Sequence, residues 1–197
     1  MRTPEDFRRD DVKSIFKRRL KEDVINLKPL SIKIEENLLS DKTIVDLSFE
    51  KKVADFSKTY TFQEVMGSGF VDAMFKACYT NFIEDYKSLR HLTLVDVIVK
   101  PIFSMSRSEA KTDAKTDVIF RIETKNHGIS EFRSRSRSIV YSSLESMLRA
   151  FQFYMNCDKT FNQLQEILKD AKSRNRGDIA QNCISDLATL AGVNCYV

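Results

Sequence analysis

The chain has 197 residues, 42% hydrophobic and 30% charged, the make-up of an ordinary globular protein long enough for a real core. Its net charge of +4 is too small to mark a nucleic-acid footprint by itself. No apolar run approaches the ~20 residues that span a bilayer, and Met-Arg-Thr-Pro-Glu-Asp-Phe lacks a signal core, so the expected location is cytoplasmic. Four cysteines without CxxC spacing and only two histidines argue against a zinc site, and no metal or cofactor is expected.

Residues 5–27 read as a helix, with Val12, Ile15, Phe16 and Leu20 as its apolar stripe and Pro29 ending it or beginning the next element. The basic run Lys17 to Lys21 has acidic neighbours at Asp10, Asp11, Glu22 and Asp23 and reads as a solvated face. From Leu30 the period becomes two. Leu30, Ile32 and Ile34 alternate with polar residues, then Val45, Leu47 and Phe49, then Ala54, Phe56, Tyr60 and Phe62. Turns are expected at residues 37–42 and at Glu50-Lys51-Lys52. Three short antiparallel strands in a meander follow.

Gly67-Ser-Gly-Phe-Val-Asp-Ala73 comes next and opens a helix. Its glycines suit a positive φ or a close backbone approach. Val71, Met74, Phe75, Cys78 and Phe82 carry an amphipathic stripe. After Leu89 the order restarts. Leu92 to Ile102 is a strand, residues 104–113 a Ser-rich loop, and Val118, Phe120 and Ile122 a second strand. Asn126-His127-Gly128 is a turn, residues 129–138 a third strand, and Ser142 or Ser143 a cap for a helix ending near Asn156. Leu144, Met147, Leu148, Phe151 and Met155 repeat the first helix's spacing, and Ala150 falls on Ala77. Matching element order as well as matching spacing points to duplication. Two further helices are expected after residue 156, separated by a polar break at residues 172–178 and stopped by Gly192.

The expected fold class is therefore α+β: two pseudo-symmetric βββα units, 30–88 and 90–156, form one domain at 30–156. A helical segment at 1–29 and a helical extension at 157–197 flank it. No Ser/His or Cys/His pairing, HExxH, P-loop or GxGxxG occurs in the sequence, so no catalytic residue is assigned. Gly-Ser-Gly before a helix either offers N–H groups to an anion or is a tight strand-to-helix turn. Asp72 sits in the first turn of that helix, where the dipole and the free N–H groups favour a carboxylate. Arg133, Arg135 and Arg137 share one strand face. An RNA partner would want stacking aromatics among them and only Phe132 is near, so a charged exposed face is the better reading.

GSGFVDA within a duplicated βββα resembles the C-terminal allosteric (dimerisation) domain of the 2-isopropylmalate synthase and citramalate synthase family. Its hallmark there is Gly-x-Gly-Pro-Val-Asp-Ala, matched by Gly67, Gly69, Val71, Asp72 and Ala73, with Phe70 in the proline's place. Leu92 to Val99, Thr112-Asp-Ala-Lys115 and the helix from Leu144 to Asn156 add weaker matches. Arg135-Ser-Arg137 stands where the family usually carries a glycine, the loop at 104–111 is longer than usual, and 157–197 has no counterpart. The resemblance implies a regulatory domain rather than an enzyme. The family's catalytic barrel, about 250 residues, is missing here, as is its metal motif.

The same resemblance implies a homodimer, with a catalytic synthase subunit as a further partner and no nucleic acid or membrane. It also implies feedback control of branched-chain amino-acid biosynthesis through bound leucine or isoleucine. The ligand residues it suggests are Gly67, Gly69, Val71, Asp72, Ala73 and Ala114, with Val97 placed more loosely. The competing reading is a dimerisation module that has lost its ligand.

Overall fold

A computed structural model describes residues 4–37, 39–40, 42–102, 114–125, 128–194 and 196. The loop at 104–113, with Thr112 and Asp113, lies outside the described residues, as do Asn126, His127 and Cys195. The architecture is α+β, built as βββα twice with helices at both ends. The elements are α1 Pro4–Arg19, β1 Asn26–Asn37, β2 Lys42–Val53, β3 Phe56–Gly67 and α2 Phe70–Phe82 in the first half. The second half comprises β4 Leu92–Ile102, β5 Lys115–Thr124, β6 Gly128–Ser136, α3 Ile139–Ser173 and α4 Gly177–Ala191.

Each unit forms its own antiparallel sheet, in order β1-β2-β3 and β4-β5-β6. The alternation seen in the sequence selects the buried face. Val45, Leu47 and Phe49 of β2 and Val118, Phe120 and Ile122 of β5 are all buried. The first strand of each unit carries a bulge, at Leu30 and at Val95, and both bulged residues are exposed. A third irregularity lies in β3, where Glu64 takes φ 54° and donates its N–H to Asp46 Oδ1 at 2.8 Å. Helix α2 lies on β2 and β3, and α3 lies on β5 and β6. The two helices meet through Phe75 and Phe151, whose rings stand 5.3 Å apart. The five α3 residues that repeat the α2 stripe are all buried, as are Ala77 and Ala150. Among the described residues no helix is long and apolar enough to cross a membrane.

Four expectations need correction. The first helix ends at Arg19, not residue 27. Lys21 turns the chain at φ 52°, and β1 begins at Asn26 with Pro29 inside it. An edge strand beside a bulge tolerates a residue without an N–H. Second, Glu50-Lys51-Lys52 stays in β2, and the turn is the two-residue loop Ala54-Asp55 between the paired Val53 and Phe56, with Ala54 at φ 49°. Lys51 is held in the strand by its own contacts, donating to Tyr86 Oη at 2.8 Å and lying over the Phe82 and Tyr86 rings.

Third, the cap of α3 is Ser138, whose Oγ accepts the Tyr141 N–H at 3.1 Å. Ser142 and Ser143 are buried in the helix, where Ser143 Oγ donates to the Ile139 carbonyl at 2.8 Å. Fourth, that helix does not stop at Asn156. It runs unbroken for 35 residues, because the stripe at Phe161, Leu164, Ile167 and Leu168 continues the same face against α4.

α3 also joins the two units by hydrogen bonds. Asn156 Oδ1 accepts the Ile25 N–H at 2.8 Å, and its Nδ2 donates to the Ile25 carbonyl at 3.0 Å. Gln152 Oε1 accepts the Leu27 N–H at 3.0 Å. Asp158 accepts the Ser88 N–H at 3.0 Å, fixing the short 3-10 turn that leads into β4.

Candidate functional site

The glycine turn is built around one close approach. A Cβ on Gly67 would lie 2.5 Å from Ala73 N and 2.9 Å from its Cα and Cβ. The end of β3 therefore runs hard against the first turn of α2, and only a residue without a side chain fits. Gly69 differs. It is extended at φ −175°, and a Cβ there would meet nothing within 4 Å. Gly69 is the N-cap, and its carbonyl accepts the Ala73 N–H at 3.0 Å. Phe70 occupies the first helical position and Val71 the second; both are half-buried against the core.

Asp72 turns back onto its own turn. Its Oδ2 accepts from Ser68 N at 2.9 Å, Ser68 Oγ at 3.3 Å and Lys76 Nζ at 2.7 Å. The Lys76 hydrogen bond, and after it the Ser68 N–H, hold this carboxyl below the usual carboxylate range. While the N-cap Gly69 receives no side-chain hydrogen bond among the described residues, this carboxylate folds back onto the Ser68 turn and pairs with Lys76. Its negative charge stands where an incoming carboxylate would have to approach the helix N-terminus.

Gly67, Gly69, Val71, Asp72 and Ala73 are together because they are contiguous. Val97 and Ala114 are on the other sheet. Val97 is half-buried in the middle of β4 and pairs with Phe120, whereas Ala114 precedes Lys115, the first residue of β5. At about 3.3 Å per residue the two lie roughly 20 Å apart along the strand, so the structure does not bring them into one ligand-sized pocket. Among the described residues no three His, Cys, Asp or Glu side chains group as a metal site would require.

Two features escaped the sequence reading. Strand β4 is an edge strand, and the principal helix contacts of its sheet fall on β5 and β6. Val95, Val99 and Ile102 are exposed and Leu94, Val97 and Ile98 half-exposed. A strand apolar on both faces is the pattern of a strand covered on both faces, so the Leu94-Val95 and Val97-Ile98-Val99 runs carried this signal. The second feature is a cleft of about 920 Å³ between α1, β6 and α3, lined by Lys13, Phe16, Lys17, Phe132, Arg133 and Phe153 among others. None of the residues suggested by the resemblance lines it. Its walls come from elements distant in sequence, which no local pattern announces.

The arginine face of β6 is largely internally compensated. Arg133 and Arg135 reach Asp117 at 3.5 and 3.6 Å, and Arg121 bonds Glu131 at 2.9 Å and lies 3.7 Å from Asp96. Ile119, paired with Arg133 in the strand register, is only 2% exposed. Searches against protein-family models and curated proteins returned no match to this chain.

Proposed function

We propose that the chain is a self-associating regulatory module of the kind its sequence resembles, the allosteric domain of the 2-isopropylmalate and citramalate synthases, and not itself the condensing enzyme. The observation that carries this reading is the duplicated βββα fold with a glycine turn in which Gly67 must be glycine, together with an apolar β4 edge exposed among the described residues. An exposed, apolar, unpaired edge favours association, and a second copy of the chain would cover it. In this reading leucine or isoleucine binds at the glycine turn, and a catalytic synthase subunit is a further partner. A homodimer unchanged by leucine, isoleucine or valine would instead support the second reading, a dimerisation module without a ligand. Asp72 favours that second reading, because its carboxylate already occupies the Ser68 N–H.

Sedimentation equilibrium and thermal melts test both parts. The expected results are a dimer, and a melting temperature that rises with leucine or isoleucine concentration by mass action but not with lysine, whose charged end would be desolvated in an aliphatic pocket. A monomer at all concentrations would overturn the proposal. RNA binding is disfavoured by the Asp117 and Glu131 pairings of the arginine face, and predicts a steep salt dependence that should be absent.

A further inference from the structure

The cleft between α1, β6 and α3 is separate from both the glycine turn and the β4 edge. Its floor is aromatic. Phe153 stands 5.7 Å from Phe16 and 5.7 Å from Phe132, ring centre to ring centre. All three rings are nearly buried, at 4 to 6% exposure, and so lie at the bottom of the cleft. Among the described residues that line it, cationic side chains outnumber acidic ones by five to two. Several are committed. Arg9 donates to the Glu131 carbonyl and lies 5.0 Å over the Phe132 ring, and Arg149 pairs with Glu145 at 2.6 Å. Among the described residues Lys13 has only an exposed contact with Asp10 at 3.5 Å. Lys17, one turn further along the same face of α1, has no ion pair among the described residues.

We propose that this cleft binds a small organic anion, its charged head held by Lys17 and Lys13 on the α1 wall, its apolar body against Phe16 and Phe153. The volume suits a small-molecule site, and such sites combine an apolar lining with a few placed polar groups. The excess of positive charge above a low-dielectric aromatic floor concentrates the field on an anion entering the cleft. An inorganic anion would use the rim alone; an amphipathic one uses rim and floor together.

The test uses the full chain and 8-anilinonaphthalene-1-sulfonate fluorescence, with decanoate, decyl phosphate and inorganic phosphate as competitors. The dye should bind and be displaced by decanoate or decyl phosphate, and the stronger of the two identifies the head group. Inorganic phosphate should compete at least tenfold less well. Reversing both lysines, Lys13→Glu with Lys17→Glu, should weaken the dye about tenfold or more, with circular dichroism and melting temperature unchanged. Lys28→Glu with Lys33→Glu on the exposed face of β1 is the charge-matched control and should leave affinity alone. Equal affinity in the two double variants overturns the proposal, because the dye would then lie elsewhere. So does phosphate competing as well as decanoate, because the aromatic floor would then play no part.

Discussion

Replacing Gly67 with alanine isolates the close approach on which the glycine turn depends. The new Cβ would stand 2.5 Å from Ala73 N, about 0.9 Å inside ordinary van der Waals contact, which begins near 3.4 Å. The atom it meets is backbone in the first turn of a helix, so it cannot swing away as the end of a flexible side chain would. Either β3 or the start of α2 must shift. Overpacking of this kind costs about 1–3 kcal/mol, and a backbone clash belongs at the upper end, about 3 kcal/mol. For a chain of this size each kcal/mol moves the melting temperature by about 2–4 °C, so the expected fall is about 6–12 °C. Gly69→Ala supplies the internal control. Its backbone is extended and its Cβ direction empty, so its effect should stay within about 0.5 kcal/mol. Adding Ala73→Gly to the Gly67→Ala variant should not restore stability, since Ala73 N and Cα remain in the way. Urea and thermal unfolding measure all three. The reasoning fails if Gly67→Ala melts within about 2 °C of the wild type, or if the two glycine variants lose equally.

Asp186→Ala removes the shared partner of Arg18 and Arg19, bonded at 2.5 and 2.8 Å. It should cost about 2 kcal/mol, a charged hydrogen-bond value discounted for the exposed Arg18, and hydrogen exchange should quicken in α1 but not in α2. Burial pushes the Asp158 carboxyl above its ordinary range, against the opposing pull of the Ser88 N–H. A raised carboxyl contributes its stability below the unfolded value of about 3.9 and loses it as pH rises through the folded value. Asp158→Asn keeps an acceptor for Ser88, so its melting temperature should gain on the wild type as pH rises above about 4; a gap that widens the other way would refute this. Cys78, Cys157 and Cys183 are fully buried, and burial pushes the Cys78 and Cys157 thiols far up. All three should resist a disulfide reagent until the chain is unfolded in denaturant.

The βββα duplication was legible because two independent periods agreed: alternation in β2 and β5, and helical spacing in α2 and α3. Boundaries failed where tertiary partners overrode local signals. Residues 20–27 carry enough charge and aliphatic spacing to look helical, but Ile25 and Leu27 extend because Asn156 and Gln152 bond their backbone. Lys51 looked like a turn residue from its charged neighbours, yet its stem and ammonium are taken up by Phe82 and Tyr86. The glycine motif was visible in the sequence, but the unequal roles of Gly67 and Gly69 depend on where Ala73 lies. The cleft at α1 was invisible, since its walls come from residues 9 to 156.

The amide pair on α3 has a consequence for the order in which the chain can become structured. β2 covers one edge of β1, and at the start of the strand the side chains of Gln152 and Asn156 act as the missing neighbour. Those groups lie 125 and 131 residues downstream of the backbone they satisfy. During synthesis, at about 5–20 residues per second, the opening residues of β1 wait some seconds for their partners. Such distant closures slow folding. The first sheet can form its hairpins early, but Ile25 and Leu27 lock only after the second sheet has a helix lying on it. The halves of the duplication are therefore repeated in sequence but not autonomous in assembly: the earlier one is finished by the later.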